Sequence, residues 1–598
     1  EKDKYALRGL LDIDAGDSVQ LLLRADYWKD ESDATVPSFQ IPGYQGLFGN
    51  ANPIVEGLLD TGNNARISTQ NDDDNRDADW APGNTRLGKP SLDMDSSTFS
   101  ATLTWDINDT VTLTSLSSYS KFNTDSAYQL DGYGGMPLDK SFAGITALDT
   151  IGALVRDQYA AYDLLGHSGF TNDAEIGSWF QELRLNGQFG DVVWIVGANY
   201  ADDDVDSTTS QLVDMTTNTN VAFFPFPGEI GLQTVENVSQ QDGQTWAVFA
   251  HTEWDFAPDW NLTLGLRYDE DEKDFAGCSS DNGDGDLTQY IATLVKVSQG
   301  VTPDVVPGGC VTFLEGTFTG GTIKNSLDED STSGKVALDW NVTDDILTYA
   351  SYSRGYKSGS FPTLSTNAAS QLDPVVQEKV DAYELGMKAS LMEGMAQLNM
   401  AAFFYDYTDK QLLSRTPTIF GALASLDNVP ESEVTGAEID FTWAPIDGLH
   451  LALAGSYTDT EINDFVGYNQ FGVQEDFSGS EFPLTPKWQG TAMARYEWTV
   501  GSGMTAFVGG DVSYSDDFIS DYEGPSGVAD PVFEIEDVTL YGARAGLSAA
   551  DSRWNVTVWG RNLTDEFQPL TTRKITDAVV RFTGMPRTYG VSLTYNWL

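Results

Sequence analysis

The feature that most limits what this chain can become is the spacing of its connections. Segments of strand length, each alternating apolar and polar residues, follow one another along the whole sequence. Their connectors alternate strictly between very short and long. Tyr5 to Ile13 and Ser18 to Tyr27 are joined by Asp14 to Asp17, and a long polar stretch follows. Thr98 to Asp106 and Thr110 to Tyr119 come next, then Trp179 to Asn186 with Val192 to Tyr200, and Trp246 to Trp254 with Trp260 to Tyr268. The same rhythm continues through Lys335–Trp340 and Ile346–Tyr356, Ala382–Leu391 and Ala396–Tyr405, and Thr435–Trp443 and His450–Tyr457. Gln489–Trp498 and Thr505–Tyr514, then Val538–Leu547 and Trp554–Asn562, complete the pairs, and Arg587–Leu598 ends the chain alone. Period-two alternation is the signature of a β-strand with unlike faces. A soluble sandwich has no reason to place every long loop at one end. An outer-membrane barrel does, with tight periplasmic turns and long outer loops.

About nineteen strands are expected, each near the ~9–11 residues that cross a bilayer when tilted. No apolar run reaches the roughly 18 residues of a membrane helix. Tryptophan gives an independent check. Trp105, Trp254, Trp340, Trp443 and Trp498 each stand just before a short turn, in phase with the apolar row of their strand. Aromatics at one depth on a lipid-facing row form an interfacial girdle. The opposite phase carries charge. Arg184, Arg267, Glu384, Glu438 and Arg544 sit between outward apolar neighbours and are expected to point into a wide lumen.

Composition narrows the partners. The formal net charge of -57 excludes nucleic acid, whose phosphates would be repelled. His167, His251 and His450 are scattered, and no nucleophile elbow, phosphate loop or paired catalytic motif stands out, so no enzyme is expected. Cys278 and Cys310 lie in one Gly/Asp-rich segment and are expected to form a loop-stapling disulfide in an oxidising compartment.

Several stretches together resemble TonB-dependent outer-membrane receptors. They are Ser178–Gly187, Leu347–Phe361, Asp381–Leu391, Ala396–Gln411, Val429–Trp443, Val558–Glu566 and Pro586–Leu598, in the family's order and spacing. The terminal strand departs from the usual signal, since Leu598 follows the aromatic Trp597. The resemblance implies an all-β, antiparallel transmembrane barrel of about 22 strands, with residues 1–598 as its barrel domain. It also implies an N-terminal plug that engages TonB. The odd strand count leads to the expectation that this plug and about three strands precede Glu1. The implied function is energised uptake across the bacterial outer membrane of a scarce small molecule or metal chelate, most often a ferric siderophore. A passive porin-like channel and a surface adhesive barrel are the alternatives.

Long outer loops are expected near residues 29–97, 122–177, 202–243 and 270–332. Loops longer than stability requires usually bind something. Phe223, Phe224 and Phe226 could wall a ligand site or pack their loop down over the barrel mouth, and Trp80 beside the acidic run Asn71–Asp79 is a further ligand-site candidate. Acidic runs such as Ala201–Asp206 and Tyr268–Asp274 disfavour strongly anionic chelates or reflect a solvated surface. Asn282, Asp284 and Asp286 alternate around Gly285 like part of a calcium loop, although Ser280 holds its first position and no closing Glu follows; a solvated turn is the alternative. The topology is open to test. In intact cells, a cysteine at Gly501, in a short turn, should resist a membrane-impermeant thiol reagent, while one in Asn71–Asp79 should react. Equal labelling would reverse the orientation.

Overall fold

The computed structural model describes residues 3–32, 38–41, 91–129, 136–137, 164–165, 168–213, 233–418, 421–469, 474–501, 503–521, 533–575 and 578–597. Trp80, Phe223, Phe224, Phe226, the run Asn71–Asp79 and His167 lie outside them.

Nineteen strands form one antiparallel sheet in chain order. They are β1 (Lys4–Asp14), β2 (Val19–Asp30), β3 (Ser91–Asn108), β4 (Val111–Gln129), β5 (Ser168–Phe189), β6 (Val192–Val213) and β7 (Gln233–Ala257). Then come β8 (Trp260–Asp281), β9 (Ile323–Thr343), β10 (Ile346–Lys357), β11 (Glu378–Leu391), β12 (Ala396–Thr418) and β13 (Gly421–Ile446). The last are β14 (Leu449–Asp464), β15 (Trp488–Val500), β16 (Met504–Ser515), β17 (Val538–Ser548), β18 (Trp554–Arg561) and β19 (Thr588–Tyr595). Every strand expected from the alternation is present. Among the described helices none is long and apolar enough to cross a membrane.

Their lengths differ from the expectation. β7 runs for 25 residues and β13 for 26. At about 3.3 Å per residue these are roughly 80 Å of strand, far more than a tilted crossing of a ~30 Å hydrocarbon layer needs. The acidic runs Ala201–Asp206 and Tyr268–Asp274 are therefore strand, in β6 and β8, not loop. The four long loops are correspondingly shorter than expected at both ends, because each wall strand continues outward past the lipid.

Register fixes which face each residue takes, since directly paired residues share a face. Trp260 pairs with Trp340, and their rings stack 5.2 Å apart; Trp254 lies on the same outer face. Eight positions up β7 from Trp254, Trp246 packs on Tyr268 at 5.6 Å, and on neighbouring strands Trp179 packs on Tyr200 at 5.7 Å. Between these two aromatic levels the outer face is Val248, Leu264, Leu266, Val336 and Leu338, all exposed. Two girdles bounding an apolar band are what a lipid-facing wall requires.

The sheet has two free edges among the described residues. β1 pairs only with β2, and β19 only with β18. With nineteen antiparallel strands the two edge strands run in the same direction, so they cannot close on each other in antiparallel register.

Inside the wall, bulky aromatics lie flat over glycines directly opposite them. The pairs are Phe249 on Gly197, Tyr349 on Gly386, Phe403 on Gly436, Phe507 on Gly546 and Trp559 on Gly590. In each a methyl group on the glycine would overlap the ring. The missing side chain lets a large ring lie along the wall instead of projecting into the lumen, and the ring shields the exposed glycine backbone. At Gly436 an added methyl would also sit 2.6 Å from the Tyr457 carbonyl oxygen. Gly436→Ala should therefore cost about 1–3 kcal/mol through overpacking. Gly490→Ala, whose methyl would meet Ala454 O at an ordinary 3.5 Å, should be close to neutral. The temperature at which the folded band disappears from unheated-gel electrophoresis compares the two.

Candidate functional site

The inner face of β10 to β17 forms the site, and two neighbouring register rows compose it. One runs Tyr349, Gly386, Ala401, Glu438, Ser456, Gln489, Ser515. The next runs Lys388, Asn399, Asp440, Ala454, Thr491, Ser513. These rows line a recess of about 900 Å³, which Gln568, from the connection after β18, reaches from the mouth side. Its lining mixes carboxylates, one amine, amides and hydroxyls with small residues and with apolar ones such as Val538 and Leu540. Asn399 Nδ2 donates to Asp440 at 3.4 Å. Such a surface offers polar groups to a hydrated occupant and no single catalytic constellation.

Each of the five lumen charges expected from the sequence lies on the inner face. Glu384 shares its row with Phe403 and Gly436, two residues above Glu438's row. Arg184 pairs with Glu182 at 3.2 Å, and Arg267 holds Asp269 at 2.6 Å while donating to Asn199 Oδ1 at 3.3 Å. Arg495 binds Glu497 at 3.1 Å in the same manner. Residues two apart on a strand project to one face, so an arginine reaches the carboxylate of its own next-but-one neighbour without crossing strands. Three guanidiniums also cover rings that lie on the wall: Arg267 over Phe249, Arg495 over Phe507 and Arg561 over Trp559, at 5.7, 4.0 and 5.1 Å. These contacts are worth about 0.5–1 kcal/mol each where exposed. Arg544 differs. Its Nη2 meets the thioether of Met493 at 2.8 Å, and its Nε is buried with no acceptor.

Above the membrane, the outer face of β6 to β9 is acidic. Asp204, Asp242 and Asp274 stand directly opposite one another on three adjacent strands. Burial first, and then the neighbouring Asp204, Asp274 and Asp206, push the Asp242 carboxyl above its ordinary value. Beside them Glu270, Glu272 and Asp328 bring carboxylate oxygens within 4.8 Å of one another. Like charges in register oppose pairing, and salt screens that repulsion.

At the mouth, Cys278 and Cys310 are joined, with Cα atoms 5.8 Å apart and a sequence separation of 32. Cys278 lies at the end of β8, not in a loop, and the closed segment contains helix α1 (Asp286–Gln299). Leu287, Ile291 and Val295 on one side of α1 pack against Val311 and Phe313, giving the stapled knob its own small core. The proposed calcium-loop residues hold the turn before α1. Asn282 Oδ1 accepts the Asp284 N–H, and Asp284 Oδ1 accepts the Asp286 N–H. The organising group is one the sequence reading passed over, Asp281. Its carboxylate is buried and accepts the N–H groups of Gly283, Gly285, Thr288 and Gly308 at 2.7–3.2 Å. The N-cap of α1 is Gly285, which has no side chain to offer, so Asp281 caps the helix from outside by accepting the Gly285 and Thr288 N–H groups, while Asp284 takes that of Asp286. A carboxylate there also suits the positive end of the helix dipole.

Burial alone would raise the Asp281 pKa, but the four backbone donors outweigh it and hold the carboxyl below its usual range. With the folded value depressed, this contribution to stability is complete above the unfolded pKa of about 3.9 and is lost as pH falls through the folded value. Asp281→Asn should therefore loosen α1 at neutral pH, by about 1.5–3 kcal/mol for the lost charged acceptor. Hydrogen exchange over residues 283–308 should accelerate while the barrel strands stay protected.

A profile of the family described as "TonB dependent receptor-like, beta-barrel" matches residues 26–563. No curated protein sequence matches the chain. Among solved structures, the ferric yersiniabactin uptake receptor FyuA of Yersinia pestis is 13% identical over 100% of this chain and 71% of its own, with a TM-score of 0.66. The ferric-catecholate import receptor Fiu of E. coli is 15% identical over 99% of this chain and 74% of its own, at 0.63. The siderophore receptor PiuA of Acinetobacter baumannii is 16% identical over 99% of this chain and 74% of its own, at 0.63. At these identities the likeness is one of fold.

Proposed function

The chain belongs to the TonB-dependent receptor family, as part of its β-barrel, and from that premise we propose that it takes up a ferric siderophore or similar metal chelate with energy supplied through TonB. The family is one of bacterial outer-membrane receptors for ligand uptake. The observation that carries the reading is the two-faced wall: an apolar, girdled outer face around an inner face rich in paired charges and hydroxyls. A wall of this kind encloses a hydrated pathway wide enough for a bulky solute or an occluding domain.

The two free edges bear on the rest of the machinery. Each presents unpaired N–H and C=O groups at membrane depth, where each unsatisfied group costs several kcal/mol. An odd number of further strands restores antiparallel closure. In this reading those strands come with the plug that occludes the lumen and engages TonB. Glu384, Glu438 and the incompletely satisfied Arg544 then face polar groups of that plug.

Accumulation of radiolabelled iron from a panel of ferric siderophores, in cells with and without this protein, tests the proposal. Uptake of at least one chelate should require both the protein and TonB. Uptake that needs the protein and persists without TonB would indicate a passive channel, and no change with any chelate would remove the metal-chelate assignment.

A further inference from the structure

Between β10 and β11, residues Ser358–Gln377 do not rise away from the barrel. Their contacts are with the lumen face. Phe361 stacks on Phe275 at 4.9 Å, and Leu372 packs in the same cluster as Phe275 and Ile323, beside Leu327. Phe275, Ile323 and Leu327 are in phase with Arg267 and Glu329 on β8 and β9, opposite to the outward Trp260 and Trp340. The register therefore places the segment inside the mouth.

Its base is clasped twice. The carboxylate of Glu329 accepts from both ends, from Gly359 N–H at 2.8 Å and Gln377 N–H at 2.7 Å. The amide of Gln411 donates to both ends, to Ser358 O and Val376 O at 3.0 Å each. Lys273 adds Nζ bonds to Ser358 Oγ and Gly359 O at 2.6 Å. Just above the clasp the two legs bond to each other, Ser360 with Val375.

The tip is tied as firmly. Thr312 of the stapled knob, Ser279 of β8 and Thr366 of the segment form a buried hydrogen-bonded trio. Backbone bonds join Phe313 to Asn367 and Ala369 at 3.0 Å. Ser365 accepts from Asn237 of β7 at 2.9 Å and donates to Gln211 of β6 at 3.0 Å. From Gln211 to Gln411 the attachments reach from β6 to β12, and Phe361, Thr366, Gln371, Leu372 and Val375 are all buried.

We propose that Ser358–Gln377 is a fixed ledge inside the barrel mouth that narrows the entrance along β6 to β12 and sets the largest solute able to reach the lumen there. A loop held at its base by side chains that each bind both legs, and at its tip by a disulfide-stapled knob, is built to stay in place. A lid would instead come from segments with few buried contacts.

The test uses the full chain in intact cells and thiol reagents of graded size, from N-ethylmaleimide to a polyethylene-glycol maleimide. The target is Ser331→Cys, on the inner face of β9 two residues below Glu329. Val301→Cys, exposed on the knob, should react with every reagent; if it does not, the outward orientation of the mouth is wrong, and the ledge with it. With the ledge intact, Ser331→Cys should react with the small reagent and resist the large one. Replacing Pro362–Pro374 by a short Gly/Ser linker, which the Ser360–Val375 contact allows, should raise the large-reagent rate severalfold and leave the small-reagent rate unchanged. An unchanged size limit, in protein that keeps its unheated-gel mobility, overturns the proposal. A second variant separates ledge from lid. Oxidising Asn237→Cys/Ser365→Cys should not alter small-reagent labelling of Ser331→Cys; slower labelling after oxidation would mean that the segment must lift.

Discussion

A backbone that crosses lipid must satisfy every N–H and C=O within the protein, because the hydrocarbon offers no acceptor or donor. That single requirement shapes this wall. It forces the strands into one continuous antiparallel ladder, β1 through β19, with no break between neighbours. It also makes the two edges the places where the described sheet is energetically incomplete. Water can satisfy a strand edge in a soluble protein; at membrane depth only another strand can.

Once the ladder is imposed, each strand has two faces in two solvents. The outer face is simple in the membrane, a band of Val and Leu between two levels of ring pairs. The inner face must keep charges in a confined, partly hydrated space. It does so locally, by pairing Arg with an acid two residues along the same strand, and by laying rings over facing glycines with guanidiniums above them. Neither device depends on distant strands, so each strand keeps its own charges satisfied.

Beyond the lipid the same ladder becomes a scaffold. The strands continue outward, and their inner faces hold the ledge and the knob through hydrogen bonds that need only a fixed register: Glu329 and Gln411 at the base, Asn237, Ser279 and Gln211 at the tip. Their outer faces carry carboxylates in register, a cost that the uninterrupted backbone ladder and screening by salt can offset. The Cys278–Cys310 bridge closes a segment with its own core, so the knob is a folded unit seated on the rim rather than a loose loop.

The sequence by itself determined the strand count and placed Arg184, Arg267, Glu384, Glu438 and Arg544 on the face opposite the girdle tryptophans. Lipid on one side imposes a period-two apolar row, and tight turns mark the end of each hairpin, so these features are written locally. It could not set the outer ends of the strands. In Val235–Thr245 of β7 the outer face has left the lipid and the inner face meets polar groups such as Ser365, so the apolar alternation disappears and strand reads like loop. The same loss hid the acidic runs of β6 and β8 inside strands. Asp281, Lys273, Glu329 and Gln411 carry no motif either. Their partners are backbone groups up to 86 positions away, brought within hydrogen-bonding distance by the closing curvature of the wall. Which loop turns inward, and what holds it there, is decided by that curvature and by register between strands distant in sequence, and only the tertiary structure contains it.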